Sequence, residues 1–408
     1  MAGNPIVAQS ADAIIIGGGV TGLSTALHLK AMGAARVIVL ERHYTGAGQS
    51  GRAAGIIRAL VAHPAVSSML RESLEFFQTF EERFGEPVEV HPIGYLLLAE
   101  ASDAERVRKA VEASASAGVR ASRISREEAL ELQPGLRGDD GCIYAFEPGA
   151  VWTDPMPAVQ AMSRAARRLG IKILEGCDVL RILHRMGKVS GVETSAGRFS
   201  APQVMIGTAA WGATQLRALG LTVPVYPHRV EMAFFQRAPR EPRNLVRVLS
   251  DSRSQLYLRP EGKDQMFAGW REGDLIQSTS DLKSADPDNY RQTADYSSLV
   301  EMHRRLAITL PFMATGFVHR TYACVYDYTP DGMPILDRAE GFEGLHFALG
   351  FSGGGFSLSP WVGRAMAESI STGKTPAPME LLACNRFQQN RPLDWGNASP
   401  VLQASEKV

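Results

Sequence analysis

The run Gly17-Gly18-Gly19-Val20-Thr21-Gly22 constrains this chain more than any other feature, because few backbone geometries use glycine at that spacing. An apolar stretch, Ala13-Ile14-Ile15-Ile16, precedes it. A helical pattern follows over residues 21–32, with Leu23, Ala26, Leu27 and Ala31 on one face, and Gly33 ends it. Residues 36–40 read as a second buried strand, closing at Glu41. Strand, helix and strand in about thirty residues make a βαβ unit with a right-handed connection. In such a unit Gly17 permits the tight turn, Gly19 lets backbone approach a pyrophosphate, and Gly22 lets helix and strand pack closely. The helix N-terminus supplies N–H groups and positive dipole for phosphates. Glu41 is placed to accept hydrogen bonds from ribose hydroxyls, and a carboxylate there disfavours the 2′-phosphate of NADP. The unit therefore binds a dinucleotide. The loop alone does not separate FAD from NAD.

The remaining chain divides by periodicity. Helical patterns cover residues 66–84, with Met69, Leu70, Leu74, Phe77 and Phe80 on the apolar face, then 104–117 and 127–132. Another covers 154–169, with Asp154 as its expected cap and Pro155 at its first position. Residues 171–175 read as a strand returning to the first sheet, and 188–193 and 203–207 as continuing it. Between 223 and 273 the pattern changes to short strands with turns, including 230–235, 255–258 and 266–270, which indicates a mostly antiparallel sheet in a second lobe. Residues 302–310 read as a helix, 345–349 as a strand, 350–355 as a glycine-rich turn and 361–371 as the last helix. The tail after Pro392 reads as loosely held. The expected class is α/β, a Rossmann-type unit interleaved with a substrate lobe.

A length of 408 residues suits two lobes, and a formal net charge of zero gives no electrostatic case for nucleic acid as a partner. The most apolar early stretch, 13–29, is broken by four glycines, so no membrane span is expected. The first ten residues lack a basic region followed by an apolar core. Cys142, Cys177, Cys324 and Cys384 form no CxxC pair and no zinc spacing. The expectation is a cytoplasmic protein with reduced thiols and no metal.

With its apolar strand, glycine loop and following helix, the N-terminus resembles the D-amino-acid oxidase, glycine oxidase and sarcosine oxidase superfamily. Four later segments carry the same resemblance: Ser50-Gly51-Arg52-Ala53-Ala54-Gly55, the stretch 204–211 ending at Trp211, the stretch 322–332 around Cys324, and Gly350-Phe351-Ser352-Gly353-Gly354-Gly355-Phe356. It runs over residues 12–374 and is closest to the sarcosine oxidase branch with its beta subunit. The resemblance implies FAD, held by Gly17, Gly19, Gly22, Glu41 and Arg42, by Gly51, Arg52 and Ala53, by Val179 and Trp211, and by Cys324, Gly353, Gly354, Gly355 and Phe356. It implies an FAD-binding domain from 1–85, 150–222 and 320–375, a substrate domain from 86–149 and 223–319, and a tail over 376–408.

The same resemblance gives roles at the substrate. Arg58, in Gly55-Ile56-Ile57-Arg58, aligns with the arginine that holds a substrate carboxylate, and a guanidinium offers the planar fork for one. Tyr257 and Tyr326 align with active-site tyrosines. Cys324 stands where monomeric sarcosine oxidases bond the flavin, so FAD is either bonded there or dissociable. Three positions depart from the family. Ser357 replaces a lysine that partners a carboxylate. Phe267 or Ala268 stands where a lysine over the flavin face activates oxygen, leaving Arg259 or Arg271 as other cations. Arg52 replaces the histidine that attaches flavin in dimethylglycine-type enzymes, which excludes histidyl attachment there.

The expected activity is oxidation of a C–N bond in a small secondary or tertiary amine or amino acid, by hydride transfer to flavin, with oxygen or another acceptor taking the electrons. A flavin-dependent 2-hydroxy-acid dehydrogenase is the second reading and requires a base, for which His228, His319 and His346 are candidates. A subunit working with partner chains is the third.

Overall fold

The computed structural model describes residues 9–139, 141–238, 247–270 and 287–395. A six-stranded sheet runs in the order Ile335–Arg338, Leu345–Leu349, Gln203–Ile206, Ala13–Ile16, Val37–Leu40 and Lys172–Leu174. All its pairings are parallel except the one at the Ile335–Arg338 edge. Strand alternation decides its two faces. Ala13 and Ile15 join the core with the helices Val20–Ala31, Pro64–Gln78, Pro155–Arg168 and Gly355–Thr372. Ile14 and Ile16 face the opposite core.

That opposite core corrects one sequence expectation. The strand Lys188–Thr194 does not extend the Rossmann sheet. It belongs to a four-stranded sheet with Val179–Arg185, Gly197–Ser200 and Gln9–Ser10. Val189, Val192 and Phe199 lay that sheet over Ile14, Ile16 and Leu40. Burying those side chains face to face covers the sheet without lengthening it. Asp154 occupies the N-cap of Pro155–Arg168, but its side chain makes no cap hydrogen bond.

An eight-stranded sheet forms the second body of the fold. Its order is Phe317–Tyr328, Tyr226–Gln236, Gln265–Trp270, Leu256–Glu261, Val248–Asp251, Tyr95–Ala99, Ile143–Glu147 and Ser122–Ile124. Only Val248–Asp251 and Tyr95–Ala99 pair in parallel. The helix Tyr296–Thr309 covers one face through Met302 and Leu306, against Phe235, Leu258 and Ala268. The other face carries Val230, Met232, Phe234, Phe267, Cys324 and Tyr328, with Tyr257, Tyr322 and Tyr326 packed against them. Residues two apart share a face of a strand, so Cys324 and Tyr326 point the same way.

The chain past the last flavin loop also differs from expectation. Gly355–Thr372 is followed by two short helices, Ala377–Glu380 and Asn385–Gln388. The tail as far as Trp395 is anchored. Asp331 accepts from Leu393 N at 3.0 Å and forms a buried ion pair with Arg386 at 2.7 Å, and its carbonyl accepts from Trp395 Nε1 at 2.9 Å. Among the described residues no helix is long and apolar enough to cross a membrane.

Candidate active site

The two sheets meet along the loop that follows the first βαβ unit. Tyr322, on the large sheet, donates its hydroxyl to the Arg52 carbonyl at 2.8 Å. Arg259, from the same sheet, donates Nε to the Ala54 carbonyl at 2.6 Å. Gln49 reaches back to the Val325 carbonyl. These bonds satisfy loop carbonyls that would otherwise be buried unpaired, and so fix the loop against the sheet. A cavity of about 270 Å³ lies along that junction.

One end of the cavity is the glycine loop. Gly17 and Gly19 line it, with Glu41 and Arg42. A side chain on Gly19 would come within 2.8 Å of Ser50 Oγ, which already accepts from Val20 N at 3.0 Å. Glu41 accepts from Gly18 N at 2.8 Å and from His43 N at 2.9 Å, so both its oxygens are held in place beside the cavity. Gly22 does not line the space. A Cβ there would lie 2.0 Å from the Gly17 carbonyl, which is the close helix-to-strand approach read from the motif. Val179 and Trp211 line the same end.

The other end is built from the strand Phe317–Tyr328 and the last glycine turn. Cys324, Tyr326, Gly353, Gly355 and Phe356 line it, with Arg52 and Ala53 from the second loop. Gly51 and Gly354 do not. Gly51 packs on the Gly46 carbonyl and Met156, and Gly354 stands at the N-cap of the helix Gly355–Thr372. Gly353 has φ +86°, and a Cβ there would fall 2.8 Å from the Tyr326 ring, so glycine lets that ring lie on the turn. Tyr257 Oη stands 3.4 Å from Tyr326 Oη. Burial pushes the Tyr326 hydroxyl well above its usual range, so it stays protonated and can donate. Cys324 is 1 % exposed, and burial pushes its thiol up to about 12 against the pull of Arg52.

The structure places the remaining expected residues as follows. Arg58 does not line this cavity. Its Nη1 donates to the Leu60 carbonyl at 2.6 Å and its guanidinium lies 4.8 Å over the Tyr95 ring, beside a separate small cavity that Trp395 also lines. Phe267, not Ala268, faces the tyrosines, because Ala268 points to the helix core. Arg259 stacks on Trp152 and Phe267 at 4.5 and 5.0 Å and pairs with Glu261, which also binds Arg320. Arg271 lies outside the described residues. None of the three candidate histidines lines the cavity. His228 packs edge-on against Tyr328, His346 binds Gln203, and His319 is exposed.

Three lining carboxylates were missed by sequence reasoning, among them Asp178, next to Val179. Asp327 lines the far end, accepts from Gly350 N at 2.7 Å, and is raised to about 6 by burial. It sits inside the quoted stretch 322–332, but nothing in that stretch marks it as lining the cavity. Asp288 closes the near end, where it binds Arg42 and Trp211. It lies in no motif. No lysine is among the described lining residues.

A phosphate-binding turn, a held acid and a second, aromatic compartment fit an extended dinucleotide whose reactive end lies by Cys324 and Tyr326. Comparison with known proteins agrees with that geometry. The family described as FAD dependent oxidoreductase matches residues 12–369. The sarcosine oxidase subunit beta of Arthrobacter sp is 26% identical over 98% of this chain and 96% of that protein. The 4-methylaminobutanoate oxidase (formaldehyde-forming) of Paenarthrobacter nicotinovorans is 23% identical over 93% of this chain, which spans 46% of that protein. Among solved structures, L-proline dehydrogenase from P.horikoshii superposes with a TM-score of 0.84 at 25% identity, covering 95% of this chain and all of that one.

Proposed function

The chain belongs to the FAD-dependent oxidoreductase family, and from that premise we propose that it oxidises a C–N bond of a small secondary or tertiary amine, an N-methyl amino acid or a proline relative. It is an enzyme and its cofactor is FAD. When bound, FAD supplies the acceptor for a hydride leaving the carbon next to nitrogen. The observation that carries the reading is the far compartment itself. Its lining offers the Tyr326 hydroxyl, 3.4 Å from that of Tyr257, with a thiol, aromatic carbon and the carboxyl of Asp327; no lysine is among the described lining residues, and the histidine there, His43, follows Arg42 at the nucleotide end. Tyr326, kept neutral by burial, donates a hydrogen bond and takes up no proton. An amine bound neutral needs no base, because its lone pair drives hydride loss.

In this reading Tyr257 and Tyr326 orient the substrate, and Phe267 excludes water from its other side. The six-stranded sheet and its helices carry the cofactor, and the eight-stranded sheet carries the substrate. The names of the relatives support the class: one acts on a methylaminobutanoate, another on sarcosine, and the structural neighbour on proline. The relative named as a subunit supports a role beside partner chains as well.

A second reading rests on Asp327. It is a carboxylate raised to about 6 at the reactive end, within the range of a general base, and a 2-hydroxy acid needs one. One experiment separates the two. The FAD-loaded protein is mixed anaerobically with a panel of N-methyl amino acids, proline relatives and 2-hydroxy acids, and bleaching of the flavin is followed. Bleaching by the amines alone is expected. Bleaching by hydroxy acids alone would replace the proposal with the second reading, and bleaching by neither would refute both.

A further inference from the structure

The near end of the FAD cavity is closed by a segment from far along the chain. Pro287, Asp288, Tyr290 and Gln292 all line the cavity. Asp288 makes the closing contact. Arg42 donates to both its oxygens, at 2.6 and 2.8 Å, and Trp211 Nε1 donates to one of them at 2.8 Å. The Arg42 guanidinium also lies 5.4 Å over the Trp211 ring. Arg42 directly follows Glu41, and Trp211 lies in the first turn of the helix Ala210–Arg217. Asp288 thus draws together two elements that flank the nucleotide end.

The other end of the segment is held by the large sheet. Ala323 N, on the edge strand Phe317–Tyr328, donates to the Gln292 carbonyl at 2.8 Å. Arg229 Nε donates to the Arg291 carbonyl at 2.8 Å, and Asp295 N donates to Glu231 at 2.9 Å. Tyr290, between the two anchors, is within electrostatic reach of Arg52, Cys324 and Asp288. The segment therefore runs the length of the cavity, from the nucleotide end to the reactive end. One anchor is backbone hydrogen bonding to a sheet edge. The other, among the described residues, is the Asp288 carboxylate, half exposed at its side chain, on the Arg42 and Trp211 side chains.

We propose that residues 287–292 are a strap over the bound FAD, that Asp288 is its latch, and that uptake and loss of the cofactor pass through the unlatched form. The asymmetry of the anchors sets which end opens. Parting the latch breaks two charge-assisted bonds and one neutral donor's bond, while the sheet-edge bonds stay. An ion pair exposed to this degree is weakened by salt, so the strap opens more readily as ionic strength rises. The inference rests on the FAD cavity and not on the choice of substrate.

The test reads cofactor release and needs no turnover. FAD-loaded full-length protein on a Cys324→Ser background, where no thioether can hold the cofactor, is diluted and the rise of free flavin fluorescence is timed at low and high KCl. The parent should release faster at high salt. Asp288→Ala should release about tenfold faster at low salt, the scale expected for losing a bidentate charged contact, and lose the salt dependence. Asp288→Asn keeps an acceptor for Trp211 and should fall between them, also without salt dependence. Trp211→Phe should speed release while keeping the salt dependence. Release from Asp288→Ala within twofold of the parent overturns the strap, and so does a salt response that survives in both Asp288 variants. Should Asp288→Ala fail to fold, the Asn and Phe variants carry the same distinction. A protein that never holds FAD refutes the cofactor site itself, whereas a yellow protein inactive toward amines still decides the strap.

Discussion

Replacing Asp327 with asparagine isolates one buried charge at the reactive end of the cavity. The carboxyl is fully enclosed where the strand Phe317–Tyr328 meets the last glycine turn. It accepts from Gly350 N at 2.7 Å, with the Phe351 amide also favouring the ionised form. Across the strand it faces Pro227, flanked by Tyr226 and His228, and on its own strand Tyr326 and Tyr328. Burial outweighs the amides and lifts it from 3.8 to about 6. A carboxyl raised on folding stabilises the protein below its unfolded value, and that contribution is lost as pH rises through about 6. A shift of two units corresponds to roughly 3 kcal/mol. His28, His228 and His346 act in the opposite sense. Burial lowers each from 6.5 to about 4, so they cost stability as pH falls through that window. The difference between Asp327→Asn and wild type cancels the histidines. Urea unfolding of both proteins should show the variant gaining about 3 kcal/mol relative to wild type between about pH 4 and pH 7. A difference that is flat with pH, or that grows toward acid, would refute the burial argument.

Three further outcomes follow from the same geometry. Asp331→Ala should cost roughly 3–5 kcal/mol in unfolding free energy, because it strands the buried Arg386 guanidinium; a loss below about 1 kcal/mol would show that solvent reaches the pair. Protein precipitated in trichloroacetic acid should release its yellow colour to the supernatant, since a thiol pushed up to about 12 offers little thiolate; colour kept in the pellet and lost in Cys324→Ser would establish the thioether. Arg58→Ala should leave the substrate constant within about threefold, because its guanidinium is spent on Leu60 and Tyr95; a rise of tenfold or more, the scale of a lost carboxylate contact, would show that it swings to the substrate.

Local patterns were legible in the sequence wherever the period of the chain carries the information. Ala13–Ile16 alternates between two cores, Val20–Ala31 follows its glycine loop, and the switch to period two past 223 marks the large sheet. What the sequence did not show depends on contacts that no local pattern encodes. Lys188–Thr194 has the apolar residues of a strand, but which sheet it joins is decided by the cores it meets. Asp154 stands at the cap position without using its side chain. Arg58 aligns with a substrate arginine, yet a neighbouring carbonyl and the Tyr95 ring take its guanidinium. Asp288 is invisible to motif reading, since its partners Arg42 and Trp211 lie 246 and 77 residues away.

The placement of charge around the reactive end ties these pieces together. Glu261 binds both Arg259 and Arg320, so three formal charges reduce to one at the wall. Arg259 is further drawn to the Ala54 carbonyl, and Arg320 lies 3.7 Å over the Phe234 ring. These guanidiniums hold the loop and brace the aromatic side chains. Phe267 stands between them and Tyr257, with its ring 6.0 Å from that of the tyrosine. The surface offered at this end is therefore largely aromatic and hydroxyl in character, with Asp327 as the carboxylate and Arg52 as the guanidinium in its lining. A neutral amine suits such a wall better than a free cation would, because desolvating an ammonium without a fixed counter-charge is costly. As pH rises through about 6, Asp327 ionises and adds a negative charge to a lining that also holds the Arg52 guanidinium, while its hydrogen bonds to the glycine turn persist. Substrate protonation and the state of this one carboxyl then pull in opposite directions, since a cationic amine gains a counter-charge under the conditions in which less of it is cationic.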